Sequence, residues 1–231
     1  MKDYIGSIEN FIASEDFCCL AIGKNNMNDD NHIVLMYKFD NNPKVLHYKD
    51  GYITDDFSYG DLINRGYISL KMSNSLKDYF PDEDAISLFK NFCESILSLK
   101  SNILFSLKYQ NQCFDIGGDL FSNIDDEFGL TCSTFILALF KSEDLGSIDL
   151  IDISKWEVNT EDEEFIDRLL EHFSGGDFPN KKQIDIIENN RACFRFRPEH
   201  VGVAFIDNSI PLGYSTCYSN GKSLNEHILN A

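Results

Sequence analysis

The chain reads as an α+β fold in which an antiparallel sheet comes first and helices follow. Three observations predict it: β-rich runs separated by Asn/Asp turns within residues 17–48, apolar residues at helical spacing after Pro81, and a second apolar, helix-like run after Gly129. The apolar run at 17–23 predicts a first strand, and a polar turn over 25–31 follows it. His32-Ile33-Val34-Leu35-Met36-Tyr37-Lys38-Phe39 and residues 43–48 predict two more strands. These two meet at Asp40-Asn41-Asn42, residue types that tolerate the backbone of a tight turn. Residues 51–66, polar, aromatic and glycine-bearing, interrupt the pattern, and residues 67–72 allow another short strand.

Pro81-Asp82-Glu83-Asp84 opens a helix whose Ala85, Phe89, Phe92, Cys93, Ile96 and Leu97 share one face, with acids in the first turn where the dipole favours them. Residues 101–109 predict a strand, and 110–126, with Gly117-Gly118, predict a loop leading to Gly129. A helix is expected over about 131–141, an alternating segment over 145–154, and acidic amphipathic helices over 162–173 and 181–190. The run 201–206 predicts an edge strand, and the tail 209–231 predicts no regular structure. Without a repeat, a linker or a shift of composition, residues 1–231 read as one domain with its core over about 17–206.

At 231 residues the chain is long enough to bury a substantial core, and 43% hydrophobic with 13% aromatic content excludes disorder. No apolar run approaches the roughly 20 residues that cross a bilayer, so stable membrane insertion is not expected. Met1-Lys2-Asp3-Tyr4-Ile5-Gly6 lacks the basic-then-apolar layout of a signal peptide, and seven irregularly spaced cysteines do not form a disulfide framework. Both features lead to the expectation of a cytoplasmic protein, or one exported by a secretion system that needs no signal peptide. A formal charge of −18 repels nucleic acid, which is therefore not expected as a partner. Solubility accounts for the acidity, and a basic protein partner or a cationic substrate is its functional alternative.

The segment Phe128-Gly129-Leu130-Thr131-Cys132-Ser133-Thr134-Phe135 sets a thiol on a glycine-marked turn at a helix start. The helix dipole and the free N–H groups there favour thiolate, which predicts a lowered pKa and a nucleophilic Cys132. Such a nucleophile needs a base, and the base needs an orienting group. With the hairpin turn near Asn41, His32 and His47 become neighbours across the ladder. His32 is then the base to Cys132, and His47 fixes its tautomer. The backbone N–H groups of Cys132 and Ser133 are the expected oxyanion donors, each worth roughly 3–4 kcal/mol when well placed.

This order, two histidine strands before a cysteine helix, resembles the circularly permuted branch of the papain-like NlpC-type superfamily, which includes lecithin:retinol acyltransferase-like proteins. In ordinary members the cysteine helix comes first. The blocks around His32, Val45-Leu46-His47, Cys132 and Phe194-Arg195-Phe196-Arg197-Pro198-Glu199 are similar to those of a bacterial branch that carries them in the same order. The resemblance implies a permuted papain-like fold, its antiparallel sheet packed against the helix bearing Cys132. It also implies a Cys132, His32, His47 triad and chemistry through a thioester: amide hydrolysis in the cell-wall members, acyl transfer in the acyltransferase-like members.

Cys18, Cys19, Cys93, Cys113, Cys193 and Cys217 lack the context of Cys132 and read as core or incidental residues. His200 is a rival base beside a proline-marked turn, while His172 and His227 read as exposed. Asn111 or Gln112 precedes the cysteine at an offset too long for the oxyanion glutamine of papain-like enzymes. No Cys-x-x-Cys, His-Glu-x-x-His or Walker spacing occurs, so neither a metal nor another cofactor is expected. The sequence thus leads to a cysteine-dependent hydrolase or acyltransferase acting on a peptide amide, an isopeptide or a lipid ester. A non-catalytic acidic binding protein, of the immunity type or an inactive papain-like module, is the alternative.

Overall fold

The computed structural model describes residues 2–24, 30–99, 103–110, 113–115, 117–121, 128–156, 160–175 and 180–230. Residues 25–29 of the turn expected over 25–31, the amides of Asn111 and Gln112 and about half of the loop expected over 110–126 lie outside the described residues. The fold is mixed α+β. Strands β1 (Ile5–Ser7), β2 (Cys18–Lys24), β3 (Asn31–Phe39), β4 (Asn42–Lys49), β5 (Tyr52–Thr54) and β6 (Ile68–Lys71) form a six-stranded sheet in the order β1-β6-β2-β3-β4-β5. Every pairing in it is antiparallel.

Two tight hairpins set the registers. Asp40 and Asn41 have φ of 49° and 62°, and Asp50 and Gly51 have 51° and 88°. Positive φ at two successive loop residues matches the right-handed twist of the flanking strands, and Asp-Asn and Asp-Gly accept it at little steric cost. Alternation along β3 then divides the side chains between two faces. Ile33, Leu35 and Tyr37 enter the main core, whereas Val34 and Met36 face a smaller cluster under α1 (Ile8–Ala13) and α2 (Tyr59–Asn64).

The main core is capped by helices. After α3 (Asn74–Lys77), α4 (Glu83–Leu97) starts at the N-cap Asp82, which accepts from the Ala85 N–H at 2.9 Å, and it buries Phe89, Phe92, Cys93 and Ile96. Helix α5 (Cys132–Phe140) is apolar all round, and every residue from Ser133 to Phe140 is buried between β3, β4 and a further helix, α8 (Pro198–Ile206). The acidic pair α6 (Thr160–Ser174) and α7 (Lys181–Asn189) forms where the periodicity places it, closing a satellite cluster around Leu107, Ile166, Leu169 and Ile187.

Four expectations are corrected. The run at 201–206 is helical, not an edge strand: Pro198 occupies the first helical position, and Val201, Val203, Ala204, Phe205 and Ile206 are buried on all sides. The tail is not irregular, because α9 (Tyr214–Leu229) buries Cys217, Gly221, Leu224 and Ile228 against α8 and β2. Within 101–109 the described residues form one parallel bridge, Phe105 to Leu130, rather than a strand. The alternating segment 145–154 is short turns with a single parallel bridge, Ile151 to Leu212.

Candidate active site

β3 and β4 pair from Phe39↔Asn42 to Leu35↔Leu46, after which β4 carries on to pair with β5 at His47↔Thr54. Continuing the first register places His47 opposite Val34. His32 and His47 are therefore diagonal neighbours rather than direct opposites, a spacing that ring side chains bridge. His32 Nε2 lies 3.1 Å from His47 Nδ1, and the rings meet edge to face with centroids 5.3 Å apart. His47 is fully buried, and its Nε2 lies 2.7 Å from Oδ1 of Asp56, whose other oxygen accepts from Lys49 at 2.9 Å. Phe57 stacks on the His47 ring at 4.5 Å, and the Arg65 guanidinium covers the Phe57 ring at 4.5 Å.

Both histidines lie on the α1/α2 side of the sheet, whereas α5 packs on the other side. The thiol comes to the sheet at the split between β3 and β4, where β3 runs on past its last pairing with β4 at Leu35↔Leu46. There the Cys132 sulfur accepts from the backbone N–H of Ile33, the residue after His32. Cys132 and His32 open onto the same cavity of about 390 Å³, walled further by Tyr48, Tyr67, Phe165 and Arg195.

A capping box holds the cysteine in place. Thr131 is the N-cap: its Oγ1 accepts from the Thr134 N–H at 3.1 Å, while Thr134 Oγ1 accepts from the Thr131 N–H at 2.7 Å. Cys132 is thereby the first helical residue, and its N–H takes no part in the intrahelical ladder. The other expected oxyanion donor, Ser133, turns its N–H and its hydroxyl to the Cys132 sulfur. Replacing Thr131 by alanine is expected to cost about 1 kcal/mol in urea denaturation, with Thr131→Ser retaining most of it.

Burial, not the helix start, sets the protonation of the pair. It pushes the Cys132 thiol above its ordinary pKa, although Ile33, Ser133 and the Arg195 guanidinium all pull the other way. The expected lowering is corrected on this point: dipole and N–H contributions of about 0.3–1 kcal/mol are outweighed by the loss of hydration around a thiolate. Burial, reinforced by His47 and Lys49, also takes His32 down to about 3. The resting pair at neutral pH is thiol and imidazole.

His200 is not among the cavity-lining residues. It is 3% exposed and sits beside Trp156, Tyr214 and Tyr218, with ring centroids 5.6, 6.5 and 6.2 Å away, and burial takes its pKa to about 3. His172 is exposed and His227 half-buried. Cys18, Cys19, Cys93, Cys113 and Cys217 are buried, with burial raising their thiols, and Cys193 packs against the satellite cluster.

Because His32 and His200 are neutral when folded and titrate near 6.5 when unfolded, the native chain binds fewer protons between about pH 3 and 6.5. Their contribution to stability is complete above about pH 6.5 and is lost as pH falls below it, by up to about 1.4 kcal/mol per pH unit for each. Urea midpoints are expected to drop between pH 7.5 and 5, and His200→Gln to flatten that dependence.

Sequence reasoning missed Asp56, Phe57, Tyr67, Asp30 and Arg195. Arg195, 10% exposed, pairs with Asp30 at 3.1 Å, lies 3.3 Å over the Phe165 ring and lines the same cavity as His32. Gly23 stands opposite His32 in the β2/β3 ladder, and a Cβ there would come within 2.5 Å of the Tyr67 ring, so only glycine leaves room for Tyr67. Among the described residues no three His, Cys, Asp or Glu side chains gather as metal ligands, and no helix is long and apolar enough to cross a membrane. Comparison with protein-family models, curated proteins and solved structures found no match.

Proposed function

We propose that the chain is a cysteine-dependent hydrolase or acyltransferase of permuted papain-like fold, acting on an amide, isopeptide or ester through a thioester. One observation carries this reading: Cys132, first residue of a capped helix, and His32, backed by His47 at 3.1 Å, open onto one cavity. In the resting state both are neutral, so His32 takes the thiol proton as the sulfur attacks the carbonyl carbon, rather than holding a preformed ion pair. The Cys132 N–H donates to the developing oxyanion. His32 then returns the proton to the leaving group, and water or a second acceptor resolves the thioester. Hydrolysis and transfer differ only in that acceptor.

All seven cysteines are free, which suits a reducing compartment. A non-catalytic acidic binding protein is the rival reading, favoured by the net charge of −18. An acyl-type cysteine probe, read by peptide mapping and followed by a screen of peptides, isopeptides and lipid esters, separates the two. The expected result is one adduct, at Cys132, and turnover that Cys132→Ala abolishes. Labelling spread evenly over the cysteines, or turnover surviving in Cys132→Ala, would overturn the proposal.

A further inference from the structure

The geometry points to Asp56 as a positioning residue that sets the tautomer of His32 through His47, leaving the free lone pair of His32 on Nδ1. The inference rests on the reading of His32 as base to Cys132. An ionised carboxylate only accepts hydrogen bonds, so the 2.7 Å contact between Asp56 Oδ1 and His47 Nε2 requires the proton on Nε2. Asp56 is held ionised: burial opposes this, but hydrogen bonds from Lys49 and His47 outweigh burial. His47 is neutral, its pKa lowered chiefly by burial, and with Nε2 protonated its Nδ1 carries a lone pair.

The Nδ1 of His47 is 3.1 Å from His32 Nε2, which must then be the donor. What remains on His32 is an unprotonated Nδ1, directed away from His47 by the geometry of the ring. One carboxylate thus chooses, two residues away, which nitrogen of His32 is basic. The surroundings fix the relay. Lys49 occupies the second oxygen of Asp56 at 2.9 Å, and Phe57 holds the plane of the His47 ring by stacking at 4.5 Å.

Asp56→Asn is nearly isosteric and separates tautomer from packing. Lys49 needs the amide oxygen, so the amide NH₂ faces His47 Nε2 and makes it an acceptor. The relay then reverses, with His47 Nδ1–H donating to His32 Nε2 and the His32 proton moving to Nδ1. Long-range ¹H–¹⁵N NMR of the imidazoles, in a Cys132→Ala background at pH 7.5, reads this without any reaction at the cysteine. In the parent the His32 Nε2 is expected in the protonated range and Nδ1 in the unprotonated range, and in Asp56→Asn the two are expected to exchange.

With Cys132 present, Asp56→Asn is expected to slow alkylation of the thiol nearly as much as His32→Ala, with a melting temperature within a few degrees of the parent. A protonated Nδ1 in the parent, or an unchanged His32 tautomer in both Asp56→Asn and Asp56→Ala, would overturn the inference. A correct tautomer with no preferential labelling of Cys132 would count against the nucleophile alone and leave the Asp56 relay standing.

Discussion

His32→Ala is expected to slow alkylation of Cys132 by iodoacetamide on the order of 100-fold, the lower end of what a positioned base contributes. Cys132 should in the parent be the fastest of the seven cysteines to react, well ahead of the buried Cys93 and the partly covered Cys193. The pH dependence carries the sharper information. His32 titrates at about 3, so it is an unprotonated base throughout the range from pH 5 to 9 and adds no step near its ordinary value. Because His32 takes the proton as the sulfur attacks, the reactive pair is neutral thiol with neutral imidazole, so the parent rate should stay level across that range, while in His32→Ala, left with thiolate that burial keeps scarce, it should climb with pH. A parent rate that climbs steeply through neutrality would mean that preformed thiolate reacts without help from His32, contrary to the proposed proton transfer. Mass-spectrometric labelling kinetics at several pH values distinguishes the two.

Gly129→Ala is expected to destabilise the fold by about 3 kcal/mol, at the top of the range for overpacking. A Cβ at this position would stand 2.1 Å from the carbonyl oxygen of Leu104 and 2.7 Å from the Ser106 Cβ. Neither neighbour gives way easily. The Leu130 N–H donates to that same oxygen at 2.9 Å, and Ser106 N–H donates back to Leu130, closing the parallel bridge of Phe105 with Leu130. For a chain of this length the loss corresponds to roughly 6–12 °C in melting temperature. Relief of the clash requires Leu130, Thr131 and Cys132 to move together, so labelling of Cys132 should slow as well. Gly60→Ala, where an added methyl meets only the Ser58 hydroxyl at 3.6 Å, serves as the control and should be neutral or slightly stabilising.

Strong local patterns made part of this architecture legible. The β2 to β4 runs, the acid-led start of α4 and the Thr131 turn before α5 each combine hydrophobic period with turn or cap chemistry, and the structure places each of them accordingly. The β-branched Val201, Val203 and Ile206 read as a strand because short apolar runs carry no period of their own, and Pro198 at the first helical position was the signal against it. In α9 the four buried positions, Cys217, Gly221, Leu224 and Ile228, are spaced one helical turn apart, but small or polar residues around them dilute the pattern.

β5 was hidden in a polar stretch even though Asp50-Gly51 is a strong hairpin signal. Recognising it would have brought Asp56 beside His47, since the chain leaves β5 at Thr54. The pairing of His32 with His47 was accessible from hairpin geometry. The direction of the Cys132 pKa was not, because it depends on how completely helices from the other half of the chain cover the thiol.

The split between β3 and β4 also gives the site a place in the order of folding. His32, His47 and Asp56 belong to neighbouring strands and hairpins, contacts that close quickly because little chain lies between them. Cys132 and Arg195 reach the same cavity only when α5 and α8 dock on the finished sheet. The enhanced reactivity expected of Cys132 would therefore serve as a clock for that docking. In a refolding experiment sampled by brief pulses of iodoacetamide, an intermediate with a complete sheet but undocked helices would label Cys132 no faster than any other open thiol.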